Sequence, residues 1–220
     1  MSKVYPDVPT ALEGLNDGDT IMIGGFGMAG QPLELIEGML DLGLRELTLI
    51  SNNAGNGDTG LAGLLATGQV RRIICSFPRQ HDSWVFDNLY RAGKLELELV
   101  PQGNLVARIE AAAAGLGAVY TPVGYGTALA KDKEVRQING RGHVLEYPLH
   151  ADFALVKAHI ADTYGNLLYR KTARNFGPIM AAAAKTSVVQ VTRVVAPGEI
   201  DPEVVVTPGI FVQRIVAIGQ

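Results

Sequence analysis

A chain of 220 residues is long enough for one large domain or two small ones, and at that length folding buries ~70–75% of the unfolded surface without staples. Hydrophobic residues at 47% and charged residues at 19% exclude a disordered chain, and a net charge of −3 with no basic block argues against nucleic acid as the main partner. A single cysteine, Cys75, excludes an internal disulfide framework and a cysteine-based zinc cluster, and it fits a reducing cytoplasm.

No apolar run reaches the ~18–20 residues that span a bilayer. The N-terminal stretch MSKVYPDVPTALEGLNDG has no hydrophobic signal core. The expectation is a soluble cytoplasmic protein with no membrane partner. In chain order, the short apolar runs 20–23, 46–51, 70–77 and 95–100 read as strands. Between them, 32–43, 58–68 and 81–93 read as helices, and 104–115 reads as a fourth. In the first of these, Leu33, Ile36, Met39 and Leu40 form one apolar stripe at helical spacing. Strand–helix alternation with strands apolar on both faces predicts an α/β fold: an open, mainly parallel sheet with helices on both faces.

The second half is less regular and predicts antiparallel elaborations. Residues 134–147 form two short runs around Asn139-Gly140, a type I′ hairpin signal. Runs 151–162 and 166–171 read as strands joined by a turn at Tyr164-Gly165. Residues 173–185 read as a helix leading into a strand at 187–195, and 210–218 is strand-like. No composition shift marks a linker, so residues 1–220 are read as a single domain.

The stretch GGFGMAGQP (24–32) places Gly25, Gly27 and Gly30 at the spacing G-x-G-x-x-G of a dinucleotide loop. Gly55, Gly57 and Gly60 match the same spacing, so in this chain the pattern discriminates little. The acid that should follow about 20 residues on, to grip the ribose, is replaced by Ser51-Asn52-Asn53. Nicotinamide chemistry loses its support. The physical content of the loop survives, because glycines let backbone N–H groups approach an anion ahead of a helix N-terminus.

Four such strand ends, GGFG, SNNAG, SFPRQ and PQGN, fall on one edge of a parallel sheet. They present glycine backbone and neutral carboxamides: Asn52, Asn53, Gln80, Gln102 and Asn104. Nothing there reads as a nucleophile, a general base or a metal cluster. Asp58 reads as a helix cap, and Cys75 as core. His81-Asp82-Ser83 reads as a helix start, since adjacent residues on one turn cannot form a triad. His143, His150 and His159 lack metal-ligand spacing, and no metal is expected. Arg170, Lys171, Arg174 and Asn175 read as solvated surface, with an anion as the functional alternative. Trp84, Phe86 and Tyr90 read as a helix packing stripe.

The run Asp17-Gly18 through Gly24-Gly25-Phe26 to Gly30 and Pro32 resembles the first signature of the family I coenzyme A transferases. SNNAGNG, SFPRQ, VPQGNL, TPVGYGT, LHADFALVKAH, YRKTARNFGPIM and TPGIFVQRIV are similar, in order, to the A subunit of the 3-oxoacid branch. SFPRQHDSWVFDNLYRAGKLELELVPQGNL and YRKTARNFGPIM look nearest to members acting on 3-oxoadipate, with acetoacetate-type relatives as neighbours. The resemblance implies CoA transfer from succinyl-CoA to a 3-oxoacid through a glutamate of a B subunit, in an A2B2 assembly. It passes through an acyl-glutamyl anhydride and a glutamyl-CoA thioester. This chain lacks the Ser-Glu-Asn-Gly context of that glutamate. By the same resemblance Gln102 supports the oxyanion, and Asn52 and Asn53 support the site. Gly24, Gly25, Phe26, Gly27, Met28, Ala29 and Gly30 contact CoA, which is a co-substrate, so no bound cofactor is expected. From a different class, a metabolite-binding regulator on the same fold would use the cradle without chemistry.

Overall fold

The computed structural model describes residues 2–218. The strands and helices, in chain order, are β1 (Val4–Tyr5), α1 (Val8–Ala11), β2 (Thr20–Ile23), α2 (Leu33–Leu42), β3 (Leu47–Asn53), α3 (Gly60–Ala66) and β4 (Val70–Phe77). They continue with α4 (Trp84–Arg91), β5 (Glu96–Leu99), α5 (Gln102–Ala113), β6 (Val119–Thr121), β7 (Val135–Ile138), β8 (Arg141–Glu146), β9 (Ala151–Lys157) and β10 (Ile160–Asp162). The last are β11 (Leu167–Leu168), α6 (Gly177–Ala183), β12 (Ala184–Val191), β13 (Arg193–Val195) and β14 (Arg214–Ala217).

Eight strands form one sheet in the order β1-β14-β12-β9-β2-β3-β4-β5. Every pairing in it is parallel. A parallel sheet must be covered on both faces, and alternation along each strand supplies the two apolar sets. Ile21, Ile23, Leu49 and Ile73 pack under α2, α3 and α4 through Leu35, Met39, Leu61, Leu65 and Phe86. Met22, Ile50, Ile74 and Ala154 pack on the other face against Leu105 and Ile109 of α5 and Met180 of α6. None of the described helices is long and apolar enough to cross a membrane.

From β2 the chain winds outward through β3, β4 and β5, whereas from β9 it winds the opposite way through β12 and β14. The winding therefore reverses between β2 and β9. The loop after β2 leads to α2 on one face, and α6 lies on the other. Such a switch point opens a crevice at the carboxyl ends of the strands.

The C-terminal half departs from the expected elements. The run 151–162 breaks into β9 and β10, which belong to different sheets, and 187–195 breaks likewise into β12 and β13. Both breaks form one crossing, where Ala158 N–H donates to the Gln190 carbonyl and Thr192 N–H to that of His159. The small sheet β11-β10-β13 is mixed, because β10 pairs antiparallel with β11 and parallel with β13. The expected strand 166–171 shrinks to β11 before a 3-10 turn at Lys171–Arg174. The helix expected over 173–185 is α6 alone: Asn175, at ψ −107°, stands outside it, and Ala184 is already extended. There, pairing with Ala151 outweighs the helix preference of an alanine run. The hairpin signal holds, with Asn139 and Gly140 both at positive φ between β7 and β8.

One ion pair fastens the opposite, amino-terminal end of the sheet. Asp152 on β9 accepts the Thr20 N–H at 3.0 Å and the Lys185 ammonium at 2.8 Å, tying β2, β9 and β12. The Lys185 hydrogen bond, then that from Thr20, holds the Asp152 carboxyl below its ordinary 3.8. A lowered folded-state pKa stabilises the fold above the unfolded value, and that contribution is lost as pH falls through the folded value. Asp152→Asn should therefore destabilise the chain by about 1 kcal/mol at pH 7 in urea unfolding. The gap from wild type should close once pH falls below 3.8 and through the folded-state value. A gap unchanged between pH 7 and pH 3 would show that the charge contributes nothing.

Candidate active site

Parallel pairing sets Ser51 opposite Cys75 and Asn53 opposite Phe77, so Asn52 faces Ser76 across β3 and β4. Both lie two residues beyond core positions, Ile50 and Ile74, that point to the α5 face. Strand alternation therefore aims Asn52 and Ser76 towards the start of α5, where Gln102 is the first residue. The hydrogen bonds follow this geometry. Asn52 Nδ2 donates to Ser76 Oγ at 3.1 Å and to Gln102 Oε1 at 3.2 Å, while Ser76 Oγ donates back to the Asn52 carbonyl at 3.1 Å. With Oε1 so engaged, the Gln102 amide presents Nε2–H2 as a free donor; it makes no hydrogen bond among the described residues. Asn52 is buried and Gln102 is exposed.

Asn53 takes a different part from its neighbour. Its Oδ1 accepts the Gly55 N–H at 2.8 Å, folding the SNNAG turn back on itself. Its Nδ2 reaches Asn52 Oδ1 only at 3.5 Å. It is 1% exposed, so it shapes the loop from within and offers no surface to a ligand. The SFPRQ loop is sewn to the same turn, since Ser83 Oγ accepts the Gln80 N–H at 2.7 Å and donates to the Gly55 carbonyl at 3.3 Å.

The glycine loop lies at the switch point. Phe26 and Ala29 exchange backbone hydrogen bonds of 3.0 and 3.1 Å, closing a tight turn, and Gln31 Nε2 donates to the Gly27 carbonyl at 2.8 Å. Asn175 Nδ2 donates to the Ala29 carbonyl at 2.9 Å, fixing the loop to the turn before α6. Gly30, at φ +77°, packs so closely that a Cβ would lie 2.9 Å from Ala173 Cα. Phe26, Ala29, Thr172, Arg174 and Asn175 line a groove of about 610 Å³. Phe26 and Met28 stand half exposed at its side of the edge. The cluster Arg170, Lys171, Arg174 and Asn175 is thus a wall beside the loop as well as an exposed surface.

The first turns of α5 are fixed by charge. Asn104, buried, donates to Glu146 Oε1 and to the Val123 carbonyl, each at 3.1 Å, and accepts from Thr121 Oγ1 at 3.2 Å. Lys133 Nζ stands 2.7 Å from the same Glu146 oxygen. One turn on, Arg108 donates to Glu98 at 2.6 Å and to the Tyr147 carbonyl at 2.8 Å. Burial pushes the Glu98 carboxyl up, but Arg108 and Arg72 together outweigh it and hold the group below its ordinary value. Asn104 therefore belongs to the frame that positions Gln102, a role its residue type alone does not reveal.

No carboxylate joins the Asn52–Ser76–Gln102 cluster among the described residues. Cys75 is fully buried, and burial pushes its thiol up to about 12, which removes it as a nucleophile at neutral pH. No group of three or more His, Cys, Asp or Glu residues could hold a metal among the described residues. Two local readings need correction. Thr59, not Asp58, occupies the cap position of α3, and it makes no side-chain cap bond. Trp84 is 49% exposed while Phe86 is buried and stacks on Tyr90, because residues two apart on a helix cannot share a face.

The arrangement is a set of oriented neutral donors beside a glycine loop and a groove. Residues 7–217 match the family described as Coenzyme A transferase. The A subunit of 3-oxoadipate CoA-transferase from Pseudomonas putida is 64% identical over 219 residues, covering 100% of this chain and 95% of that one. The mitochondrial succinyl-CoA:3-ketoacid coenzyme A transferase 2A of Rattus norvegicus is 42% identical over 97% of this chain but only 44% of its own length. Among solved structures, glutaconate coenzyme A-transferase from Acidaminococcus fermentans superposes with a TM-score of 0.86 at 22% identity, covering 99% of this chain and 76% of that one. The fold is shared with that structure, and the family match spanning nearly the whole chain shows that this protein belongs to the coenzyme A transferases.

Proposed function

We propose that the chain is the A half of a heteromeric CoA-transferase that moves CoA from succinyl-CoA to 3-oxoadipate. The observation that carries this reading is Gln102: its amide oxygen is held by Asn52, its amide nitrogen is free, and no nucleophile stands beside it. Acyl transfer passes through tetrahedral oxyanions, for which one oriented donor is typically worth about 2.7–4 kcal/mol. The 64% identity to a protein of that description supports the choice of acceptor. The rat relative matches this chain over less than half of its length, which supports a second polypeptide supplying the remainder.

In the proposed reaction a glutamate carboxylate of the partner attacks the succinyl-CoA thioester. The Gln102 amide N–H meets the developing oxyanion, CoA thiolate leaves, and an acyl-glutamyl anhydride remains. The thiolate then attacks the glutamyl carbonyl, expelling succinate and leaving a glutamyl-CoA thioester. Attack by the 3-oxoadipate carboxylate and return of the thiolate complete the exchange and regenerate the glutamate. The glycine loop Gly24 to Gly30 holds part of the CoA, whose binding positions the thioester for attack. All covalent chemistry stays with the glutamate, so the reaction needs no bound cofactor. The assembly is A2B2, and the lone buried Cys75 suits a reducing cytoplasm.

Three measurements test this. Alone, the chain should show no transfer; mixed with its B partner, it should show succinyl-CoA-dependent transfer that is faster to 3-oxoadipate than to acetoacetate. Activity of the isolated chain would defeat the missing-nucleophile argument, and preference for acetoacetate would reassign the acceptor. Gln102→Ala should lower kcat by roughly 10²-fold with little change in KM for succinyl-CoA. An unchanged kcat would remove Gln102 from the oxyanion site. Gly30→Ala, which forces a Cβ to within 2.9 Å of Ala173 at a left-handed backbone position, should displace the loop. Its expected signature is a raised KM for succinyl-CoA, whereas wild-type kinetics would detach the loop from CoA binding.

A further inference from the structure

The hydroxyl of Ser76 is the one side-chain group on β4 that touches the proposed oxyanion machinery, and nothing in its residue type announces it. It is bonded to Asn52 twice in opposite senses: Oγ donates to the Asn52 carbonyl and accepts from Asn52 Nδ2, both at 3.1 Å. A hydroxyl is suited to that position because it can do both at once. The two bonds fix the rotamer of a side chain at the very end of β3, where ladder pairing is about to stop. They also fix which way the Asn52 amide faces. Nδ2 must lie towards β4 and α5, and its second N–H then falls on Gln102 Oε1 at 3.2 Å.

We propose that Ser76 is a positioning residue for CoA transfer, acting through Asn52 to hold the Gln102 amide with its N–H groups towards the reacting carbonyl. This inference depends on the proposed oxyanion role of Gln102. Gln102 is exposed, its helix-start cap residue Pro101 gives no side-chain hydrogen bond, and an amide turned over by 180° would present an acceptor to the oxyanion. The chain Ser76→Asn52→Gln102 defines the donor-outward orientation before substrate arrives. An oxyanion donor is effective only when it costs no reorganisation at the moment of reaction.

The test is a double-mutant cycle in the enzyme assembled with its B subunit, with kcat and KM for succinyl-CoA measured for each variant. Ser76→Ala should lower kcat roughly three- to tenfold, the range expected for one hydrogen bond, with KM for succinyl-CoA within twofold of wild type. Ser76→Thr retains the hydroxyl and should restore most of the kcat. In the Gln102→Ala background, Ser76→Ala should cause no further loss, because its route to the reaction has been removed. A kcat loss that persists in that background would mean that Ser76 acts by general structure, and would overturn the proposal. So would a wild-type kcat for Ser76→Ala while Gln102→Ala remains impaired, which leaves the oxyanion reading standing. A wild-type kcat for Gln102→Ala would remove the oxyanion reading and this inference together.

Discussion

Asn52 lies opposite Ser76 because β3 and β4 pair in parallel with one register, and the site depends on that pairing more than on any single residue. Sliding β4 by one residue would put Cys75 or Phe77 beside Asn52 and turn the hydroxyl to the other face. The register is strongly specified because both strands are buried on both faces over Leu49–Ser51 and Ile73–Cys75. A slip would bring every apolar side chain against the wrong helices. The hydrophobic core thus sets the position of three polar atoms at the carboxyl edge, where packing itself has ended. The same pairing logic brings the β2 loop beside them, and the reversal of winding between β2 and β9 opens the crevice that the loop lines.

A frame of charge then holds the one element that comes from outside the sheet. Gln102 opens α5, and its helix is located by Asn104 on Glu146 and by Arg108 on Glu98, with Lys133 closing the set. Buried ion pairs add little net stability, since desolvation offsets most of the attraction. What they add here is direction. Glu146 is almost wholly buried, so any arrangement of α5 that withdrew Asn104 or Lys133 would leave a carboxylate short of partners in low dielectric. The start of α5 is held in place by the cost of the alternatives.

Much of this was legible in the sequence, and the part that was not has a common cause. The first half was readable because buried parallel strands give unbroken apolar runs, and the intervening helices show stripes bounded by glycine. The common edge followed from parallel order alone, and with it the donor-rich, nucleophile-poor character of the loops. In the second half, what ends a strand is the arrival of another one: β9 stops where its neighbour changes, and Ala184 is extended because Ala151 is beside it. Local propensity has no knowledge of that neighbour. The separate parts played by Asn52 and Asn53 were hidden for a related reason. Adjacent residues on a strand face opposite ways, so two identical amides became a holder of Gln102 and a bracket of the SNNAG turn. Likewise the contact of Asn175 with Ala29 links positions too far apart in the chain for any local pattern.

The neutrality of the cluster follows from what the proposed reaction must host. Within one cycle the site receives a glutamate nucleophile, a leaving carboxylate and an attacking carboxylate, while the charge to be stabilised is the transient oxyanion. A lysine or arginine in the place of Gln102 would stabilise that oxyanion, but it would bind each resting carboxylate as well. Binding ground and transition states alike lowers KM without raising kcat, and an ion pair on the nucleophile would blunt it. A carboxamide donor carries no net charge, so its attraction is short-ranged and directional. It favours the oxygen that lies on its N–H axis in the tetrahedral state over a carboxylate a little displaced from it. That selectivity exists only if the amide is held still, since a swinging amide would follow the carboxylate as readily as the oxyanion. Neutral donors and rigid support are therefore one requirement, and Asn52, locked by the hydroxyl across the ladder, meets it for Gln102.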